Sequence, residues 1–295
     1  MDIPQYPKFA PVELAHRPAV LDFLREERTE VSEVSFSSIY SWRDSYAPSL
    51  SVLDGLLVIR ILFPDGSVHC FPPLGEGDKV GAAERLFADG CQAMAGVTNP
   101  LMGMLSSKGH PVEPDRDNWD YVYGTADLAA LAGTKYHRRR KDINKFEKAG
   151  KAESAILRSE DMADCIRLGR VWCEEHIEDE KAIVIAECKA LVRAFEDYET
   201  LSLFGVVARL NGQICAFAVA EELNPEMVAT HFEKADAQVP GAFQYVNREF
   251  AKAFQSRYKW VNREQDLGLP GLRENKLSYH PQRMVEKHIV RKVVA

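Results

Sequence analysis

The chain has 295 residues, 46% apolar and 27% charged, with a formal net charge of −7 at neutral pH. That length predicts about two domains, each with its own core, and the acidic balance excludes a general polyanion binder. The apolar runs LLVI, ILF and LFGVVA are far shorter than the ~20 residues of a membrane span. Neither a transmembrane segment nor a secretory signal is read in the sequence, so a cytoplasmic protein is expected. The six cysteines (Cys70, Cys91, Cys165, Cys173, Cys188 and Cys215) include no C-x-x-C pair and are expected as reduced, mostly buried thiols.

In chain order, an extended start leads to a helix from about Arg17 to Arg28, then FSSIYSWRDSY. DGLLVIRILFPDGSVHCFPPLG follows as a hairpin turning at PDG. A helix is expected from Val80 to Ala95, then a strand WDYVY. Beyond it come a short strand AILRS, a helix MADCIRLGRVWCEEH with apolar residues at helical spacing, and a second amphipathic helix from Ala182 to Tyr198. LSLFGVVARLNGQICAFAVAEEL predicts a hairpin turning at Asn211-Gly212, a strong hairpin signal. MVATHFEKAD is a strand, FQYVNREFAKAFQ a helix, YKWVNREQD a strand, GLRENKLSY a short helix and RMVEKHIVRKVV a closing strand. The acidic CEEHIEDE stretch lacks metal-ligand spacing and predicts no metal site.

This order is that of the GNAT (N-acetyltransferase) fold, an α/β class with α+β mixed sheets, and the first half reads as a second, degenerate copy. The expected division is a GNAT-like lobe over residues 1–132, a basic inter-lobe helix over 133–150 and a second GNAT-like lobe over 151–295.

Three stretches carry a family resemblance: DYVYGTADLAALAGTKYHRRRKDINKFEK, HFEKADAQVPGAFQYVNREFAKAF and VNREQDLGLPGLRENKLSYHP. From about Phe36 to Arg291 the chain resembles bacterial proteins grouped with the C-terminal catalytic domain of phosphatidylglycerol lysyltransferases. Those enzymes move lysine from lysyl-tRNA to a membrane lipid and carry a membrane region ahead of this module. The resemblance implies two tandem GNAT-like lobes, as in the aminoacyl-tRNA-dependent Fem-type transferases. It also implies acyl transfer in the second lobe, with aminoacyl-tRNA or acyl-coenzyme A as co-substrate. The alternatives are an acetyl-coenzyme A-dependent N-acetyltransferase and a non-catalytic module binding an amino compound or tRNA.

Three constellations are candidates for chemistry. On a helix, Arg138, Lys141, Lys145 and Lys148 fall on one quarter of the circumference, opposite Tyr136, Ile143 and Phe146. That row is either a solvated face or a dock for the phosphates of tRNA or an anionic lipid headgroup. In VNREQDLG, strand alternation sets Asn262, Glu264 and Asp266 on one face, and His231 and Glu233 share a face of the preceding strand. Glu264, Asp266 and Glu233 are the expected catalytic carboxylates, holding an ammonium group or taking a proton from the attacking amine. His231, Asn262, Arg273, Lys276 and Tyr279 are expected to bind an amine-bearing substrate. The competing reading is a salt-bridge network neutralised by Arg263, Arg273 or Lys276. Finally, Gln238, Gly241, Tyr245 and Asn247 in QVPGAFQYVN lie where GNAT enzymes hold the coenzyme A pyrophosphate on helix N–H groups, although Phe243 stands where a small residue is expected.

Overall fold

The computed structural model describes residues 2–63, 65–176 and 181–293. Pro64 of the expected PDG turn and residues 177–180 of CEEHIEDE lie outside the described residues. The chain forms two compact units, residues 1–120 with 265–273 and 284–295, and residues 121–264 with 274–283.

The first unit begins with β1 (Ala10–Pro11), α1 (Arg17–Glu27), α2 (Phe36–Ser41) and α3 (Arg43–Tyr46). A proline in the first turn of α1 suits the position, where its missing N–H is not needed. There follow β2 (Ser49–Leu53), β3 (Leu56–Leu62), β4 (Val68–Cys70), α4 (Lys79–Ala88), β5 (Ala93–Val97), α5 (Leu101–Ser107) and β6 (Val112–Pro114). The β2–β3 turn is Asp54-Gly55, both at positive φ (50° and 83°), a second hairpin turn beside the expected one. The side chain of Asp78 caps α4. The helix expected to reach Ala95 ends at Ala88, because Gly90 turns left-handed (φ 110°) and the chain re-enters the sheet as β5.

The second unit takes up β7 (Asp120–Gly124) from Tyr121 onward, then α6 (Thr125–Ala130), α7 (His137–Lys148), β8 (Ala152–Ile156), α8 (Met162–His176) and α9 (Lys181–Glu196). β9 (Phe204–Leu210) and β10 (Gln213–Asn224) form the expected hairpin, with Asn211 and Gly212 at φ 53° and 85°. β11 (Met227–Ala235), α10 (Ala242–Phe254), β12 (Trp260–Asn262), α11 (Pro270–Leu277), β13 (Arg283–Val285) and β14 (His288–Arg291) complete the chain.

Among the described residues each of the two sheets has seven strands, in the orders β1-β2-β3-β4-β5-β14-β6 and β13-β7-β12-β11-β10-β9-β8. The expected closing strand is thus two strands in different sheets. β14 inserts between β5 and β6, where Val290 joins Leu56, Val58, Phe87, Met94 and Val97 in the first unit's core. WDYVY likewise belongs to the second sheet, because β7 pairs antiparallel with β12. These pairings set the boundary at residue 120 rather than 132 and place the basic helix α7 wholly within the second unit. One cysteine expectation is corrected as well. Cys173 of α8 and Cys188 of α9 form a disulfide, their Cα atoms 6.4 Å apart, because the two helices pack against each other.

Candidate active site

The site grows out of a short strand. β12 pairs in parallel with β11 over three residues only, ending at Ala229 opposite Asn262, while β11 runs on to Ala235. Beyond Ala229 the pairing stops, leaving a gap in the ladder that side chains cross. The Asn262 side-chain oxygen accepts from the Glu264 N–H (2.7 Å), and Glu264 turns left-handed at φ 56°. The chain therefore leaves the strand at Asn262, so the expected single face carrying Asn262, Glu264 and Asp266 does not form. Across the gap, β11 carries a bulge: Thr230 and Phe232 pair with the consecutive residues Ala220 and Val219, leaving His231 as the extra residue.

Two ion pairs span the gap. His231 Nδ1 lies 2.8 Å from Glu264 Oε1, and its Nε2 lies 3.2 Å from Glu221 Oε2 on β10. Burial pulls the imidazole pKa down, but hydrogen bonds and attraction from the two carboxylates outweigh it and raise the value to about 10. The second pair is Arg263, whose Nε and Nη2 donate to Glu233 Oε2 at 3.0 and 2.7 Å. Lys276 is buried and donates from Nζ to the Arg263 carbonyl oxygen (2.5 Å), so it braces the strand end from α11.

Among the four carboxylates involved or expected here, side-chain exposure is 22% for Glu264, 14% for Glu233, 6% for Glu221 and 0% for Asp266. Glu233 is the counter-ion of Arg263 through Oε2, as Glu264 is of His231 through Oε1, and Glu264 is the more exposed of the two. Asp266 belongs to the first unit, where Arg273 and Arg116 bind it at 2.7 and 3.0 Å and the Gly268 N–H donates to it at 2.9 Å. Arg273 also binds Asp117 (2.6 Å). Asp266 and Arg273 thus form the salt-bridge network of the competing reading, and their expected roles in catalysis and substrate binding give way to a structural one. Glu264 is left holding His231 by one oxygen, and among the described residues its Oε2 has no hydrogen-bond partner.

Tyr279 is buried, with its ring between the guanidinium of Arg263 (4.7 Å to the centroid) and that of Arg139 (4.5 Å). Part of the expected pyrophosphate turn is engaged within itself. The amides of Gln238, Val239 and Ala242 already donate to Asp236 Oδ1, Asp236 O and Val239 O. Gly241 is needed for a different close approach: a Cβ there would lie 2.1 Å from the Asp142 carbonyl oxygen of α7. Tyr245 packs on Phe146 (centroids 4.6 Å), and Asn247 is buried and donates to Phe243 O.

On α7, Arg138, Lys141, Lys145 and Lys148 are exposed while Tyr136, Ile143 and Phe146 are buried, as the helical spacing predicts. Sequence reasoning missed Glu221 as a member of the cluster, and named Arg263 only as a neutralising partner of the carboxylates, as it is to Glu233. A carboxylate closing the apolar run AFAVAE was the available signal for Glu221. For Arg263, strand alternation pointed the wrong way. Among the described residues no helix is long and apolar enough to cross a membrane.

Two mixed sheets, one opening into a gap beside a bulged strand, belong to the tandem GNAT-like acyltransferase fold. A tandem GNAT protein from the clavulanic acid biosynthesis pathway superposes with a TM-score of 0.50 at 8% identity, over 98% of this chain and 99% of that one. The chain belongs to the phosphatidylglycerol lysyltransferase C-terminal family, whose sequence profile matches residues 25–291. A conserved protein of unknown function from Bacteroides thetaiotaomicron is 31% identical over 97% of this chain and 99% of that one, with a TM-score of 0.90. The C-terminal domain of a putative lysylphosphatidylglycerol synthetase from Agrobacterium fabrum is similar at 13% identity and a TM-score of 0.66, covering 95% and 92% of the two chains. No curated protein matches the sequence.

Proposed function

We propose that the protein transfers an aminoacyl group from the ester of an aminoacyl-tRNA to an amine or hydroxyl acceptor in the gap between β11 and β12. The observation that carries this reading is the Glu264 carboxylate, partly exposed, anchored on His231 through Oε1 and with no hydrogen-bond partner for Oε2 among the described residues. With a pKa raised to about 10, His231 is an orienting cation near neutrality rather than a base, and Glu264 is the group placed to accept a proton. As the acceptor nitrogen or oxygen bonds to the acyl carbon, its proton passes to Glu264 Oε2. The ester C–O bond breaks, and the departing tRNA hydroxyl takes that proton.

Two further points support the aminoacyl donor. The family is named for lysyl transfer to phosphatidylglycerol, and the exposed row on α7 suits a polyanion. Acetyl-coenzyme A is less well served, because three N–H groups of the turn, those of Gln238, Val239 and Ala242, are engaged within it. The test is transfer of label from tRNA carrying a labelled aminoacyl group, offered phosphatidylglycerol vesicles or soluble amines. Label should move to an acceptor. Label that stays on tRNA with both acceptors, or moves as fast with Glu264→Gln, overturns the reading.

A further inference from the structure

Arg263 is charged and buried, with a side-chain exposure of 3%. Of its three nitrogens, Nε and Nη2 are bound by Glu233, but Nη1 is buried with no hydrogen-bond partner among the described residues. The Tyr279 hydroxyl, on the ring stacked over the same guanidinium, is equally buried and equally unpartnered. Buried polar groups are nearly always satisfied, and a missing partner costs about 1–3 kcal/mol, more for a charged group. Two such atoms within one cluster are therefore an expensive arrangement for the fold alone.

Their chemistry narrows what would satisfy them. An arginine nitrogen only donates, so its partner is an oxygen with free lone pairs. The surroundings exclude a highly charged group: the guanidinium is faced by the rings of Tyr123 (5.6 Å), Tyr279 (4.7 Å) and Phe243 (5.7 Å), and Glu233 already neutralises it. Tyr123 and Tyr279 are buried, whereas Phe243 is partly exposed. Phe243 is thus the one partly exposed ring of the three that face the guanidinium.

We infer that Arg263 Nη1 and the Tyr279 hydroxyl receive the carbonyl oxygen of the acyl group once Phe243 swings aside. The inference rests on the acyl-transfer reading and deepens it. When the acceptor bonds to the acyl carbon, the C=O electron pair moves onto this oxygen, and the two donors hold the resulting oxyanion until the pair returns and the ester C–O bond breaks.

Tyr279→Phe is the informative variant, since it keeps the ring between Arg139 and Arg263 and removes only a hydroxyl that no protein group uses. Thermal stability should stay level or rise, while kcat for acyl transfer falls ~10²-fold with KM little changed. Binding is followed separately by NMR with three probes: acetamide (carbonyl only), ethylamine (amine only) and alaninamide (both). Acetamide should perturb the Arg263 Nε–H signal in wild type and in Glu264→Gln but bind ~10-fold more weakly to Tyr279→Phe. Ethylamine should respond to Glu264→Gln and not to Tyr279→Phe, and alaninamide to both. If acetamide leaves the wild-type signal unmoved, the carbonyl site is overturned, whatever ethylamine does. If acetamide binds as expected and ethylamine does not, the Glu264 site fails and the carbonyl site stands. A Tyr279→Phe enzyme with full kcat also overturns the inference.

Discussion

Two charged networks, one in each unit, are built from similar residues and differ in completeness. In the first unit, Lys287 is fully buried and donates to Glu33 (2.5 and 2.6 Å) and Asp120 (2.7 Å), while Asp120 also accepts from the N–H and hydroxyl of Ser32. Burial lowers the Lys287 pKa, but the two carboxylates prevail and the ammonium is held above its usual value. In the second unit, the His231 and Arg263 pairs leave Glu264 Oε2, Arg263 Nη1 and the Tyr279 hydroxyl unmatched among the described residues. A saturated buried network ties the chain together. An unsaturated one beside a strand gap keeps hydrogen-bonding capacity for something that is not protein.

The contrast predicts opposite phenotypes. Glu264→Gln should lower turnover by roughly 10²- to 10⁴-fold if this carboxylate is the base. A rise in KM with kcat intact would instead make it a holder of the substrate ammonium. Lys287→Met should act on stability, costing ~3–5 kcal/mol in denaturant unfolding because Asp120 is left buried without its cation. A Lys287→Met protein as stable as wild type would erase the distinction between the two networks.

The pH response sharpens the comparison further. His231 has a folded pKa of about 10 against an unfolded value near 6.5, so its contribution to stability is complete below pH 6.5 and is lost as pH rises through about 10. Tm should fall across that window, and His231→Gln should flatten the slope. An unchanged slope would show that the imidazole is neutral in the fold. The smallest effect on chemistry is expected from the α7 row. Changing Arg138, Lys141, Lys145 and Lys148 to Glu should abolish tRNA binding and its steep salt dependence, yet leave acetamide binding at Arg263 as it was.

Much of the fold was legible because local signals agreed with tertiary pairing. Asn211-Gly212 forms its hairpin, and α7 buries the face that its apolar spacing marks. The failures have a common cause. WDYVY and the VEKHIV stretch are ordinary strand sequences, and nothing local states which sheet each will join. The site was half legible: His231 and Glu264 were named and do meet. Side-chain alternation stops where Glu264 turns left-handed, because period two holds only within the strand. Glu221 is recruited by a contact across strands, which a linear pattern does not encode.

The position of β14 bears on how the protein is made. Residues 288–291 fill the place between β5 and β6, so the N-terminal unit cannot close its sheet until those residues have emerged from the ribosome. Strands β8 to β12 of the second sheet pair in sequence order and can assemble earlier. The part of the chain translated first is therefore the part completed last. Until then β5 and β6 are open edges, the exposed strand surface that invites mispairing with other nascent chains.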